Sequence, residues 1–139
     1  MGGYLHIPAL ADKADKDQTV ATPNALGIRL LGRVAEAFLD QGLDALRRQV
    51  QENARVILDA ATRVGWEPFV PEEDRSPTVL VFRVPGGSDE PRKRLAEMGF
   101  VVGNGYGPHK GEHVRIANFP SHPPEAVAAL AEALEAMAS

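Results

Sequence analysis

The sequence predicts an α+β fold, a two-layer domain in which a small, mostly antiparallel sheet is covered on one face by helices. Three observations point to it. Residues 43–64 place apolar side chains at helical spacing, and residues 78–84 are β-branched and apolar on both faces. Strands and helices also mix with connections of both types, which does not match the regular alternation of a parallel sheet.

Taken in order, residues 1–22 read as a loop or connector. Ile7 and Leu10 are apolar, but the run from Asp12 to Asp17 alternates charges without an amphipathic face. Thr22 is placed to cap a helix with Pro23 in its first position, and Leu30, Val34 and Phe38 or Ala37 follow at helical spacing until Gln41-Gly42. The next helix, residues 43–64, presents Leu43, Leu46, Val50, Ile57, Ala61 and Val64 on one side, and Gly65 stops it. Residues 66–70 form a short strand despite Pro68. After a turn-rich stretch, residues 78–84 form a central strand.

Pro85-Gly86-Gly87 breaks that strand. Ser88-Asp89 then caps a helix that has Pro91 in its first turn and runs to Met98. Residues 100–102 are expected as a brief strand, and a glycine-rich loop leads into a strand over residues 114–119. A last helix opens around residues 121–125, with Val127, Leu130, Leu134 and Met137 on one face.

At 139 residues the chain is long enough for one core, with 44% apolar and 24% charged residues. A net charge of −4 argues against a general nucleic-acid binder, and no apolar run is long enough for a membrane span. Cysteine is absent, which removes disulfides, thiolate metal ligands and cysteine nucleophiles and fits a reducing cytoplasm. Met1-Gly2-Gly3-Tyr4-Leu5-His6 reads as neither a signal peptide nor a myristoylation signal.

The chemistry concentrates in residues 103–120. Four glycines and a proline make a loop, and Arg115 follows among apolar neighbours in the next strand. A guanidinium so placed can hold a carboxylate through two parallel charge-assisted hydrogen bonds, or it can point outward into water. Other readings fail. His6, His109, His113 and His122 have no metal-site spacing, and no carboxylate is expected to complete the His109–His113 pair. Ser76, Ser88 and Ser121 lack a nucleophile-elbow context. The glycine loop feeds a strand, not a helix N-terminus, so it is not a dinucleotide loop. Lys13 and Lys16 sit in a charged run where nothing would lower an amine pKa. The residues therefore offer anion binding without a complete catalytic set, and no catalytic residue is assigned.

Three segments resemble phosphoserine aminotransferases, pyridoxal-phosphate enzymes of the class V, fold-type I group. They are Asp15-Lys16-Asp17-Gln18-Thr19-Val20-Ala21-Thr22-Pro23-Asn24-Ala25-Leu26-Gly27-Ile28, then Asp74-Arg75-Ser76-Pro77-Thr78-Val79, then Gly105-Tyr106-Gly107 with Arg115-Ile116-Ala117-Asn118-Phe119-Pro120. The resemblance covers nearly the whole chain but only the C-terminal third or so of such an enzyme. It implies that residues 1–22 connect from a large domain that carries the cofactor lysine, and that residues 23–139 are the small C-terminal domain. It also implies that Thr22 hydrogen-bonds the phosphate of pyridoxal 5'-phosphate in the neighbouring subunit of a homodimer, and that Arg115 grips the substrate α-carboxylate. His109 and Lys110 stand nearest to the family's His-Arg pair, which holds the substrate phosphate. The implied reaction exchanges an amino group between phosphoserine and 2-oxoglutarate in serine biosynthesis, and the chain alone is expected to be inactive. Two alternatives stay open: the small domain of another class V enzyme, such as an alanine–glyoxylate aminotransferase, or a non-catalytic binding or dimerisation module whose interface would be the charged N-terminal stretch and the helix after it.

Overall fold

A computed structural model describes residues 6–137, so the expectations for residues 1–5 lie outside the described residues. The chain divides into two compact units after Gln41.

The first unit differs from its expected loop. Helix α1 (Ile7–Ala14) forms with a proline in its first turn, and Lys16 reaches back to Asp12 at 2.7 Å, one helical turn away. The charge alternation that looked patternless thus contains a helical i,i+4 pair. Helix α2 (Ala25–Gln41) starts later than expected. Its cap is Asn24, whose Oδ1 accepts the Gly27 N–H at 2.9 Å, while Thr22 is exposed upstream. A Cβ at Gly27 would lie 2.6 Å from Asn24 Nδ2, so the glycine makes room for this cap. No residue of α2 is buried, and Leu26, Ile28, Leu30, Leu31, Val34 and Leu39 are all exposed.

The second unit holds the two-layer α+β architecture. Helix α3 (Leu43–Arg63) buries Leu46, Val50, Asn53, Ala54, Ile57, Ala60 and Ala61. It ends where Gly65 takes φ +80° and the Trp66 N–H returns to the Ala61 carbonyl at 2.9 Å. Trp66 itself enters the core, so strand β1 (Glu67–Pro68) is shorter than expected. Proline cannot donate to a ladder, and β1 accordingly lies at the sheet edge. Strand β2 (Val79–Arg83) is central, as its two-sided apolar pattern predicts.

Helix α4 (Asp89–Glu97) starts without a serine cap. Ser88 is instead fully buried, and its Oγ donates to the Lys110 carbonyl at 3.2 Å, tying the helix start to the glycine-rich loop. The strand expected over residues 100–102 is displaced to β3 (Gly103–Asn104). Gly99 at φ +92° and the Phe100 N–H on the Leu95 carbonyl close α4, so those three residues are spent crossing to the sheet. Strand β4 (His113–Ala117) begins one residue earlier than expected and stops short of Asn118. Helix α5 (Pro124–Ala136) closes the chain, with Val127, Leu130, Ala133 and Leu134 buried.

All strand pairs are antiparallel in the order β1-β2-β4-β3. Leu80 opposes Ile116 and Phe82 opposes Val114, and these four point into a core shared with α3, α4 and α5. Val81 opposes Arg115 and Arg83 opposes His113 on the other face. Among the described residues no helix is long and apolar enough to cross a membrane.

Asn118 closes the core at the end of β4. Its buried Nδ2 donates to the carbonyls of Val50 and Pro77, both at 2.8 Å, linking α3 to the entry of β2. Replacing it by alanine would take this donor from the Pro77 carbonyl and cut the side-chain link to the Val50 carbonyl of α3. Asn118→Ala is expected to lower unfolding free energy by about 1–3 kcal/mol, read from the urea midpoint.

Candidate functional site

Side chains alternate along a strand, so burying Val114 and Ile116 turns His113, Arg115 and Ala117 to the face without helices. Arg115 is half-buried there. Its Nε donates to the Asn104 carbonyl at 2.7 Å, and its guanidinium carbon sits 3.9 Å from the centre of the Tyr106 ring. Gly103 lies opposite in register, and a Cβ there would approach Arg115 Nη2 to 3.2 Å. The glycine therefore lets the guanidinium lie flat across β3. Among the described residues neither Nη donates to a protein acceptor, which leaves the fork free for an anion.

The loop beside Arg115 is closed just as tightly. Gly105 donates its N–H to the His113 carbonyl at 2.8 Å, and a Cβ on it would fall 2.2 Å from the His109 carbonyl oxygen. Only glycine fits. The single 3₁₀ turn Gly107–His109 then lays His109 over His113, with ring centres 4.5 Å apart and planes within 1° of parallel. Phe69, just past β1, packs against both rings at 4.2 Å and 5.2 Å.

His113 is 2% exposed, and its Nε2 has no hydrogen-bond partner among the described residues. Burial pushes its pKa below the ordinary histidine value, His109 and Arg83 push the same way, and Glu112 opposes them. The stack therefore favours a neutral imidazole at 113.

One expectation is corrected. Glu112 does complete the histidine pair, since ligand atoms of His109, Glu112 and His113 lie within 4.8 Å of one another. The turn and the strand start bring together what helical spacing would not. Parallel stacked rings, however, keep their in-plane lone pairs in separate planes. The two cannot aim at one ion until a ring turns away from the stack.

Of the residues singled out in the sequence, Arg115 and His109 come to the open sheet face. Lys110 is exposed on the same loop, its backbone held by Ser88. Thr22 belongs to the other unit and is exposed ahead of α2. Sequence reasoning gave no site role to Tyr106, Phe69 or Arg83. The β2–β4 register would have found Arg83, because it opposes His113 on the face of Arg115.

No protein-family model matches the chain, and no curated protein matches it. Solved structures do. A phosphoserine aminotransferase from Cytophaga hutchinsonii is 36% identical with a TM-score of 0.84, over 97% of this chain and 38% of that one. An aspartate aminotransferase of subgroup IV from Thermus thermophilus shares the fold at 20% identity and a TM-score of 0.82, over 99% of this chain and 39% of that one. An alanine–glyoxylate aminotransferase from Nostoc sp. is 28% identical with a TM-score of 0.62, over 75% of this chain and 29% of that one. The chain thus has the fold of the C-terminal domain of phosphoserine aminotransferases and related aminotransferases, and spans well under half the length of each.

The depressed His113 pKa has a signed consequence. The unfolded state takes up the proton first, so the contribution is complete above about pH 6.5 and is lost as pH falls through the folded value. Urea midpoints are expected to decline on going from about pH 7 to 5. His113→Phe, which keeps an aromatic ring against Phe69, is expected to flatten that decline.

Proposed function

We propose that this chain is the C-terminal domain of a pyridoxal-phosphate-dependent phosphoserine aminotransferase and contributes the substrate-gripping half of its site. The observation that carries the proposal is Arg115, which is braced by Asn104 and Tyr106 with its fork open on the sheet face. In this reading Arg115 binds the α-carboxylate of phosphoserine, glutamate or 2-oxoglutarate. His109 and Lys110 neutralise the substrate's second anionic group. The 36% identity with the Cytophaga phosphoserine aminotransferase supports this substrate class over the others that share the fold. The two cationic candidates beside Arg115 also favour a doubly anionic substrate over alanine.

The cofactor supplies an electron sink for amino transfer when bound. This chain's own share in holding it is the Thr22 hydroxyl, directed to the cofactor phosphate in the partner subunit of a homodimer. None of its four lysines, Lys13, Lys16, Lys93 and Lys110, is buried, so none sits in the enclosed, water-excluded setting of an activated amine nucleophile. The cofactor-linked lysine then comes from a large domain outside this chain. The complete enzyme would act in serine biosynthesis in the cytoplasm.

Two measurements on the 139-residue chain test the reading. O-phospho-L-serine is expected to bind by calorimetry, and Arg115→Gln to weaken binding by about tenfold or more, the loss of a charge-assisted pair. Unchanged affinity in that variant would contradict the assignment. Stoichiometric pyridoxal phosphate followed by borohydride is expected to leave only scattered substoichiometric label on the accessible amines. Stoichiometric labelling of one lysine would overturn the claim that the chain lacks the cofactor residue.

A further inference from the structure

Arg83 ends β2 on the same face as Arg115, directly opposite His113 and one diagonal step from Arg115. Residues so related have Cα atoms about 7–8 Å apart, within joint reach of one short dianion. Its guanidinium stands 6.0 Å from the centre of the Phe69 ring, and Phe69 in turn packs on His113 and His109. The face thus holds two cations placed over aromatic rings, Arg115 over Tyr106 and Arg83 over Phe69, with the histidine stack beside them. Among the described residues Arg83 forms no ion pair, although Glu67 opposes it across β1.

We propose that Arg83 is a further specificity-determining residue that joins His109 and Lys110 in holding the second anionic group of the substrate, the phosphate of phosphoserine or the distal carboxylate of a dicarboxylate. The inference rests on the reading of Arg115 as the α-carboxylate grip and extends the site across β2. Arg115 fixes one end of the ligand. Arg83, supported by Phe69, meets the other with a planar fork that a lysine would lack. His113 is held neutral between Phe69 and His109 and so does not compete as a cation. Glu67, opposite Arg83 in register, and Glu112, beside His113 in sequence, are the nearby negative charges; both are exposed and neither pairs with Arg83 among the described residues.

Calorimetric titration of the full chain with O-phospho-L-serine and with L-serine separates the two arginines. Arg83→Gln is expected to weaken phosphoserine binding about tenfold while leaving serine within about twofold, and Arg83→Lys to recover part of the loss. Arg115→Gln is expected to weaken both ligands. If Arg83→Gln leaves phosphoserine unchanged, or weakens both ligands equally, while Arg115→Gln weakens both, Arg83 is not the specificity residue and the carboxylate assignment stands. If Arg115→Gln weakens neither ligand, or phosphoserine does not bind at all, the carboxylate assignment fails and the inference fails with it.

Discussion

Five residues of β2 paired with five of β4 decide which side chains reach the helices and which reach the open face. Strand side chains alternate with a period of two, so a slip of one residue would exchange every inward group for an outward one. The pairs Leu80–Ile116 and Phe82–Val114 hold against that slip because all four are buried to within 1%. Turning Arg115 inward would bury an unpaired guanidinium and expose Ile116 and Val114. Hydrophobic burial on one face thus fixes the placement of Arg115 on the other.

Backbone space does the rest. A side chain at Gly103 would crowd the Arg115 guanidinium, and one at Gly105 would strike the His109 carbonyl. The first lets a cation lie flat across an edge strand. The second lets a short loop fold back so that His109 stacks on His113. Both act on one function, the presentation of a fixed positive group beside a neutral aromatic wall. Such preorganisation reduces the cost of ordering a long side chain when the ligand arrives.

Much of this was legible in the sequence, for identifiable reasons. Helix α3 and strand β2 follow from periodicity, and Arg115 stood out as a lone cation in an apolar strand. Helix α1 was missed because its apolar stripe, Ile7, Leu10, Ala11 and Ala14, is short and runs into the charged residues 12–17. The displaced β3 was missed because Phe100, Val101 and Val102 have strand composition, yet Val101 is 94% exposed and the segment is a crossing. Asn24 caps the helix in place of Thr22 because its side chain reaches the N–H three residues on, at Gly27. Glu112, Phe69 and Arg83 became neighbours of the histidines through strand register and one turn, which single-sequence spacing does not reveal.

The Arg115 guanidinium is held by the protein on one edge and open on the other. Side-chain NMR of the arginines reports both halves in a single experiment. The Arg115 Nε–H is expected to be slow to exchange with solvent, from its bond to Asn104, and the Nη resonances alone to shift and sharpen as O-phospho-L-serine is added. A fast-exchanging Nε–H, or Nη resonances indifferent to saturating phosphoserine, would contradict this arrangement.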